Sequence, residues 1–418
     1  MTSAAPGAAR SGLFGWWSAG SPDAQRALVA AGLGWMLDAF DVMLYALLIP
    51  SIISDLGLSR QTAGAIGSAT LVAAAAGGLA FGVIADRYGR ARALMASVII
   101  YSVFTAACGF ANTALQLTIF RVLLGIGMGG EWASGAALVS ETWPAEHRGK
   151  ALGLMQSAWA IGYGLAALVT MLVLPVWGWR AVFFVGVLPA LLTVWVRRCV
   201  KEPALWSERL AASQPAGRFG EIFAGGRTPV TIAVTTMNAC TLFAWWGFNL
   251  WLPGYLSSAG SQGGIGLSAQ RMSWFIIAMQ VGMWFGYVTF GYISDAVGRK
   301  RAYVTYLIAA AALIAVYTSV RVPLVLLLLG PFVAFFATGY FSGFGAVTAE
   351  IYPTSVRATA QGFTYNLGRV ASAAAPFTVG TLAQTHGFDA ALSTTSIAFA
   401  LAAMMWIWIP ETRGRALA

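Results

Sequence analysis

Charge is scarce in this chain. Only 10% of its 418 residues are Asp, Glu, Lys or Arg, against about 25% in ordinary soluble domains. With 58% hydrophobic residues, a water-soluble fold of this length has no interior large enough to hide the apolar surface, which excludes that class. The three cysteines, Cys108, Cys199 and Cys240, belong to different apolar runs. An odd count without metal-type spacing excludes a disulfide framework and reads as packing. The two histidines, His147 and His386, fall in loops, so no histidine proton relay is expected within a membrane. There is no Walker loop, which argues against ATP as an energy source. No apolar core precedes Trp35, so a cleaved signal is not expected.

What is present is long hydrophobic runs. Twelve spans are read, at about 26–50, 62–85, 92–111, 115–142, 150–173, 178–198, 229–256, 271–294, 302–319, 322–350, 357–383 and 390–409. Open strands cannot cross lipid, because unpaired backbone groups there are too costly. A barrel would need short alternating segments. The fold class is therefore an all-α integral membrane protein. Nineteen basic residues fall on one side of these spans and four, Arg60, Arg180, Arg271 and Arg321, on the other. The bias places the first side, with both termini, in the cytoplasm. The net charge of +10 then reflects topology and anionic headgroups rather than nucleic acid.

One unit is used twice. Gly82–Arg92 (GVIADRYGRAR) and Gly291–Arg301 (GYISDAVGRKR) share Gly, three residues, Asp, two residues, Gly-Arg at an offset of 209. The same offset carries Glu141 onto Glu350, Pro144 onto Pro353 and Arg148 onto Arg357. Such a repeat between apolar runs marks a duplicated membrane bundle. The expected plan is an N-terminal segment 1–25, a six-helix bundle 26–199, a linker 200–228, a second bundle 229–410 and a tail 411–418.

These stretches resemble the major facilitator superfamily over essentially the whole chain. Gly82, Asp86, Arg87, Gly89, Arg90 and Arg92 match its loop motif between helices two and three, and Gly291–Arg301 its second copy. Arg121 with Gly125 and Gly129 resembles its fourth-helix motif. The resemblance implies twelve transmembrane helices in two pseudo-symmetric bundles, working by alternating access. Gly82, Asp86, Arg87, Arg90, Glu141 and Arg148, with Asp295, Arg299, Glu350 and Arg357, are the expected gating residues. Their acids accept from nearby Arg or backbone donors and are expected to latch the halves on the cytoplasmic side. A topology signal alone would need the basic residues but neither Asp nor Gly.

Four charges lie deep in the spans and differ between halves. Asp38, Asp41 and Glu131 face Gly247, Leu250 and Tyr340 under the repeat, and Arg369 faces Ala160. A charge at mid-membrane costs about 2.5–3.5 kcal/mol on insertion scales, so these are functional candidates, the alternative being fixed ion pairs. Arg369 offers parallel donors suited to a carboxylate. Asp38, Asp41 and Glu131 are candidate protonation sites, and which aspartate couples is open. Arg121 is either a coupling or a structural partner. Helical stripes add Asn238 and Trp245, Gln280 and Trp284, Gln156 and Tyr163, and Tyr365 with Asn366. Amides interleaved with aromatics favour a cavity lining over plain packing.

Asp38-Ala39-Phe40-Asp41, Gly130-Glu131-Trp132 and Asn366-Leu367-Gly368-Arg369 are similar to stretches of the proton-coupled organic-anion symporters, the sialate and monocarboxylate group above the aromatic-acid group. That resemblance implies import of a small organic anion with protons across a bacterial-type cytoplasmic membrane, with no cofactor. The alternatives are a proton-coupled exporter, which would want a Gly-Pro-rich fifth helix, and a sensor, which would want a signalling extension. No catalytic constellation suggests an enzyme.

Overall fold

The computed structural model describes residues 15–144, 147–188, 190–191, 195, 219–353 and 356–413; the side chains of Gly82, Asp86, Arg90, Trp132 and Arg357 lie outside the described set. Much of the expected linker, 200–218, also lies outside it.

In the first half, α1 (Pro22–Leu56), α2 (Arg60–Tyr88), α3 (Arg90–Cys108), α4 (Ala114–Thr142) and α5 (Arg148–Val185) follow one another. The first helix starts four residues before its expected boundary. Ser21 accepts from the Ala24 amide at 3.1 Å, Pro22 occupies the first turn, and Asp23 meets the positive helix end. The two spans expected at 150–173 and 178–198 meet at one residue. The helix runs through Pro175 and reverses only at Gly178, with φ 74°. Close approach between helices rests on small residues. A Cβ on Gly125 or Gly129 of α4 would strike the Thr70 or Ala74 carbonyl of α2.

The second half contains α6 (Thr228–Ser257), α7 (Ala269–Val297), α8 (Arg299–Ser319), α9 (Pro323–Thr338), α10 (Phe344–Ile351), α11 (Arg357–Ser372), α12 (Ala374–Thr385) and α13 (Gly387–Met405). The run expected as one helix over 322–350 is interrupted by a 3₁₀ turn at Gly339–Gly343. The run expected over 357–383 is broken at Ala373, where Pro376 has no amide to return to the preceding turn. With these breaks joined and α5 divided at Gly178, twelve crossings result. The duplication persists in the backbone: Gly89 and Gly298 join paired helices at φ 110°, ψ 153° and φ 102°, ψ 148°. Only glycine adopts that region without strain, which is why both copies hold one.

Nine of the described helical runs are long and apolar enough to cross a bilayer. α6 has the length but is not among them. It is diluted by Asn238, Thr241 and Asn249, all buried. Polar residues inside a span face protein or a cavity rather than lipid, so α6 belongs at the centre.

The bundles meet at the end opposite the loop motifs. There Tyr163 of α5 donates to the Asn249 carbonyl of α6 at 3.3 Å, and Phe377 of α12 donates its amide to Ser68 of α2 at 3.1 Å.

Candidate functional site

Arg369 occupies the last turn of α11. Its own carbonyl is taken by the Ala373 amide at 3.2 Å and the Ser372 hydroxyl at 2.7 Å. The helix therefore stops one turn beyond it, and the negative end of the helix dipole favours a cation there. The side chain is only 5% exposed and lines a cavity together with Gln156, Tyr287, Tyr365 and a set of tryptophans. Those indoles come from both bundles. Trp35 of α1 lies 4.6 Å from Trp159 of α5, which lies 5.6 Å from Trp245 of α6, itself 4.8 Å from Trp246. The cavity is thus an aromatic box between the halves, with one guanidinium in its wall.

Beside Arg369 is a cluster of buried charge centred on Asp38. Asp38 lies within electrostatic reach of both Arg369 and Arg121, Asp41 of Asp38 and Arg121, and Glu131 of Asp38. All four residues of the acid–Arg121 group are essentially inaccessible. Among the described residues, the carboxylate oxygens of Asp38 and Glu131 have no hydrogen-bond donor. Asp41 packs beside Thr105 at Gly186, but that hydroxyl donates to the Tyr101 carbonyl at 2.8 Å, leaving Asp41 without a donor as well. Arg121 sits over the Tyr45 ring at 4.5 Å, a cation–π contact that stands where a salt bridge is missing. Gly34 makes room for Glu131: a Cβ there would lie 2.5 Å from Oε1. A buried anion without donors is costly.

The other expected residues divide. Gln156, Trp245 and Tyr365 line the cavity with Arg369. Asn366, half-buried one residue after Tyr365, is not in its wall. Asn238 donates to the Thr364 carbonyl at 3.1 Å and laces α6 to α11. Gln280 donates to the Ile276 carbonyl of its own helix at 3.3 Å, leaving its Oε1 unpartnered among the described residues. Trp284 packs edge-on to Phe285 at 5.1 Å, and Tyr163 bridges the bundles as described. A helical stripe shows a shared face, and here that face divides between the cavity and neighbouring backbone. Trp35 and Trp246 belong to the wall without having been singled out. Trp35 stands one turn before Asp38, which was the available signal.

At the motif end, Arg299 pairs with Asp295 at 2.5 Å and with Glu350 at 3.3 Å. Glu350 also accepts from Thr412 at 2.5 Å. Glu411 caps α8, accepting from the Arg299 and Lys300 amides at 2.9 and 3.1 Å. All of these lie in the second half, so this copy ties its own bundle together, where a latch between halves was expected. In the first copy Arg87 is exposed beside the Tyr88 ring, and Glu141 and Arg148 are half-buried around the α4–α5 connection. Gly82, Asp86, Arg90 and Arg357 have no described side-chain setting.

The sequence matches the family described as Major Facilitator Superfamily over residues 31–264 and 234–418. The chain belongs to the Major Facilitator Superfamily. Among curated relatives of this superfamily member, the cis,cis-muconate transport protein of Acinetobacter baylyi is 32% identical over 374 residues, 87% of this chain and 89% of that one. The sialic acid transporter NanX of Escherichia coli is 29% identical, covering 92% and 93%. Among solved structures, a D-xylose-proton symporter superposes with a TM-score of 0.75 at 20% identity, covering 94% of this chain and 99% of the other, a likeness of fold. The chain is a transporter and not an enzyme, and its relatives carry small organic acids.

Proposed function

We propose that this transporter imports a small organic anion, a monocarboxylate or related carboxylic acid, together with protons, across a bacterial cytoplasmic membrane. The carrying observation is Arg369: a buried guanidinium in the wall of an aromatic cavity between the bundles, within electrostatic reach of Asp38. A guanidinium binds a carboxylate through two parallel charge-assisted bonds, and the surrounding rings accept the apolar body of the substrate. The named substrates of the two curated relatives, muconate and sialic acid, carry carboxyl groups, which supports an anionic cargo.

In this reading the motif-bearing end is cytoplasmic, as are both termini, because basic residues concentrate there. Asp41 or Glu131 takes a proton from outside. The buried cluster then loses negative charge, which lowers the repulsion met by a substrate anion approaching Arg369. Binding both partners removes the cost of isolated buried charge and lets the bundles rock. Release inside reverses the order, and no cofactor is involved.

The experiment is uptake in proteoliposomes across a panel of monocarboxylates, aromatic acids, sialic acid and sugars. Arg369→Ala is expected to abolish substrate-dependent proton uptake while the protein stays folded; preserved uptake rejects the anion-anchor role. Asp41→Asn is expected to exchange substrate but not accumulate it. Uphill accumulation at the normal proton gradient removes Asp41 from coupling.

A further inference from the structure

The four arginines at the end opposite the loop motifs run against the charge bias of the chain, and three have defined partners. Arg180 pairs with Asp55 at 2.6 Å inside the first bundle, and Arg321 with Asp389 at 2.6 Å inside the second. Arg60 differs. It opens α2 in the first bundle, yet its Nη1 donates to the Ala383 carbonyl at 2.8 Å, its Nη2 to Gln262 at 3.1 Å, and its Cζ lies 4.6 Å above the Phe388 ring. All three partners belong to the second bundle.

The surrounding contacts repeat the pattern. Gln384 accepts from the Gln61 amide at 3.1 Å. The Phe377 amide donates to Ser68 at 3.1 Å, and Gly64 approaches so near the Pro376 carbonyl that no side chain fits. The free backbone groups at both ends of α12, which a helix leaves unsatisfied, are thus answered by α2. The carbonyl end, where the helix dipole is negative, receives the one cation. Its own bundle holds α12 as well: Trp251 of α6 donates to the Pro376 carbonyl at 2.9 Å. The helix gripped by α2 is therefore joined to α6, which supplies Trp245 and Trp246 to the cavity, and to α11, which carries Arg369 in its last turn and meets α12 at Ala373.

We propose that Arg60 is the latch of this end of the transporter, holding α12 against α2 and so keeping the cavity closed on the side away from the loop motifs. Its release is the local event that frees α12 to move with α6 and α11. Arg60 acts by position and not on substrate or protons, so the proposal stands apart from the identity of the cargo.

The probe is a single cysteine at Leu250, which is 3% exposed and packs on Gly67 between the bundles. Cys108, Cys199 and Cys240 are replaced by Ser. A second probe at Leu124, fully buried within the first bundle, reports general loosening. Maleimide labelling is followed in membrane vesicles without substrate. Loss of a hydrogen bond to a charged group shifts an opening equilibrium about tenfold. Arg60→Ala is therefore expected to speed labelling at L250C about tenfold and leave L124C unchanged, with Arg60→Lys between, since an ammonium reaches the carbonyl without the fork. Equal rates at L250C in all three overturn the latch. So does a rise at both probes, which would make Arg60 a general stabiliser of the fold.

Discussion

Neutralising Asp38 and Arg369 singly and together separates a charge pair from two neighbours. Asp38 has no hydrogen-bond donor among the described residues, so the two interact through space rather than by contact. At an effective dielectric of about 20, unit charges within electrostatic reach but not in contact attract by about 2 kcal/mol. Asp38→Asn leaves the buried guanidinium without that partner, and Arg369→Gln leaves the buried acid. Measured at a pH where Asp38 is ionised, each single change should therefore destabilise the folded state by about 2 kcal/mol beyond its local packing effect. The double variant removes both charges, and its loss should fall short of the summed singles by the same amount. The assay is denaturant unfolding in detergent, followed by tryptophan fluorescence. Additivity within about 0.5 kcal/mol would refute the pairing and leave Asp38 answering to Arg121 alone. Transport supplies the second reading: the double variant should be folded but inactive, because restored stability does not restore an anion site.

Other substitutions test the packing that sets up the site. Gly298→Ala should cost about 1–2 kcal/mol in unfolding assays from its φ of 102°, with added crowding where a Cβ comes 2.7 Å from Glu411; Gly291→Ala, with nothing within 4 Å, should be near neutral, and equal effects would contradict the paired-turn account. Gly34→Ala should cost about 1–3 kcal/mol by overpacking and slow uptake by crowding Glu131, whereas Gly32→Ala, in open space, should do neither. Burial works to raise the Glu411 pKa, but amide donors from Arg413, Arg299, Lys300 and Thr412 outweigh it and hold the group below its ordinary value near 4.5. Its folded pKa being depressed, its stabilisation is complete above the ordinary value and disappears as pH falls through the lower folded one. The stability gap between wild type and Glu411→Gln should therefore close as pH falls below the ordinary value near 4.5, and a gap that stays constant throughout acidification would remove the capping role.

How much could be read from the chain depended on whether a single residue answered to a single constraint. Gly89 and Gly298 could be paired across 209 positions because a positive φ leaves almost no other choice of residue. The deep acids and Arg369 stood out because lipid penalises charge wherever it lies, and the structure gathers them around Asp38. The break at Gly339–Gly343 was not readable, and Pro376 marked a bend near Ala373 without showing where the helix would part. Glycine and proline are tolerated inside membrane helices when neighbours supply the missing bonds, so a continuous apolar run does not show where the backbone parts. The direction of the amides was hidden for a related reason. Asn238 and Gln280 lie on the expected faces, yet each is within reach of a backbone carbonyl, at Thr364 and Ile276; helical spacing gives a face and not a choice between a carbonyl and a cavity. Hydropathy nevertheless held one usable sign. α6 is long enough to span but falls short in apolar character, with Asn238, Thr241 and Asn249 buried among its apolar residues. It supplies two of the four indoles around the cavity. In a duplicated bundle, then, a span that holds amides and hydroxyls among its buried apolar residues is one to place against the cavity rather than lipid.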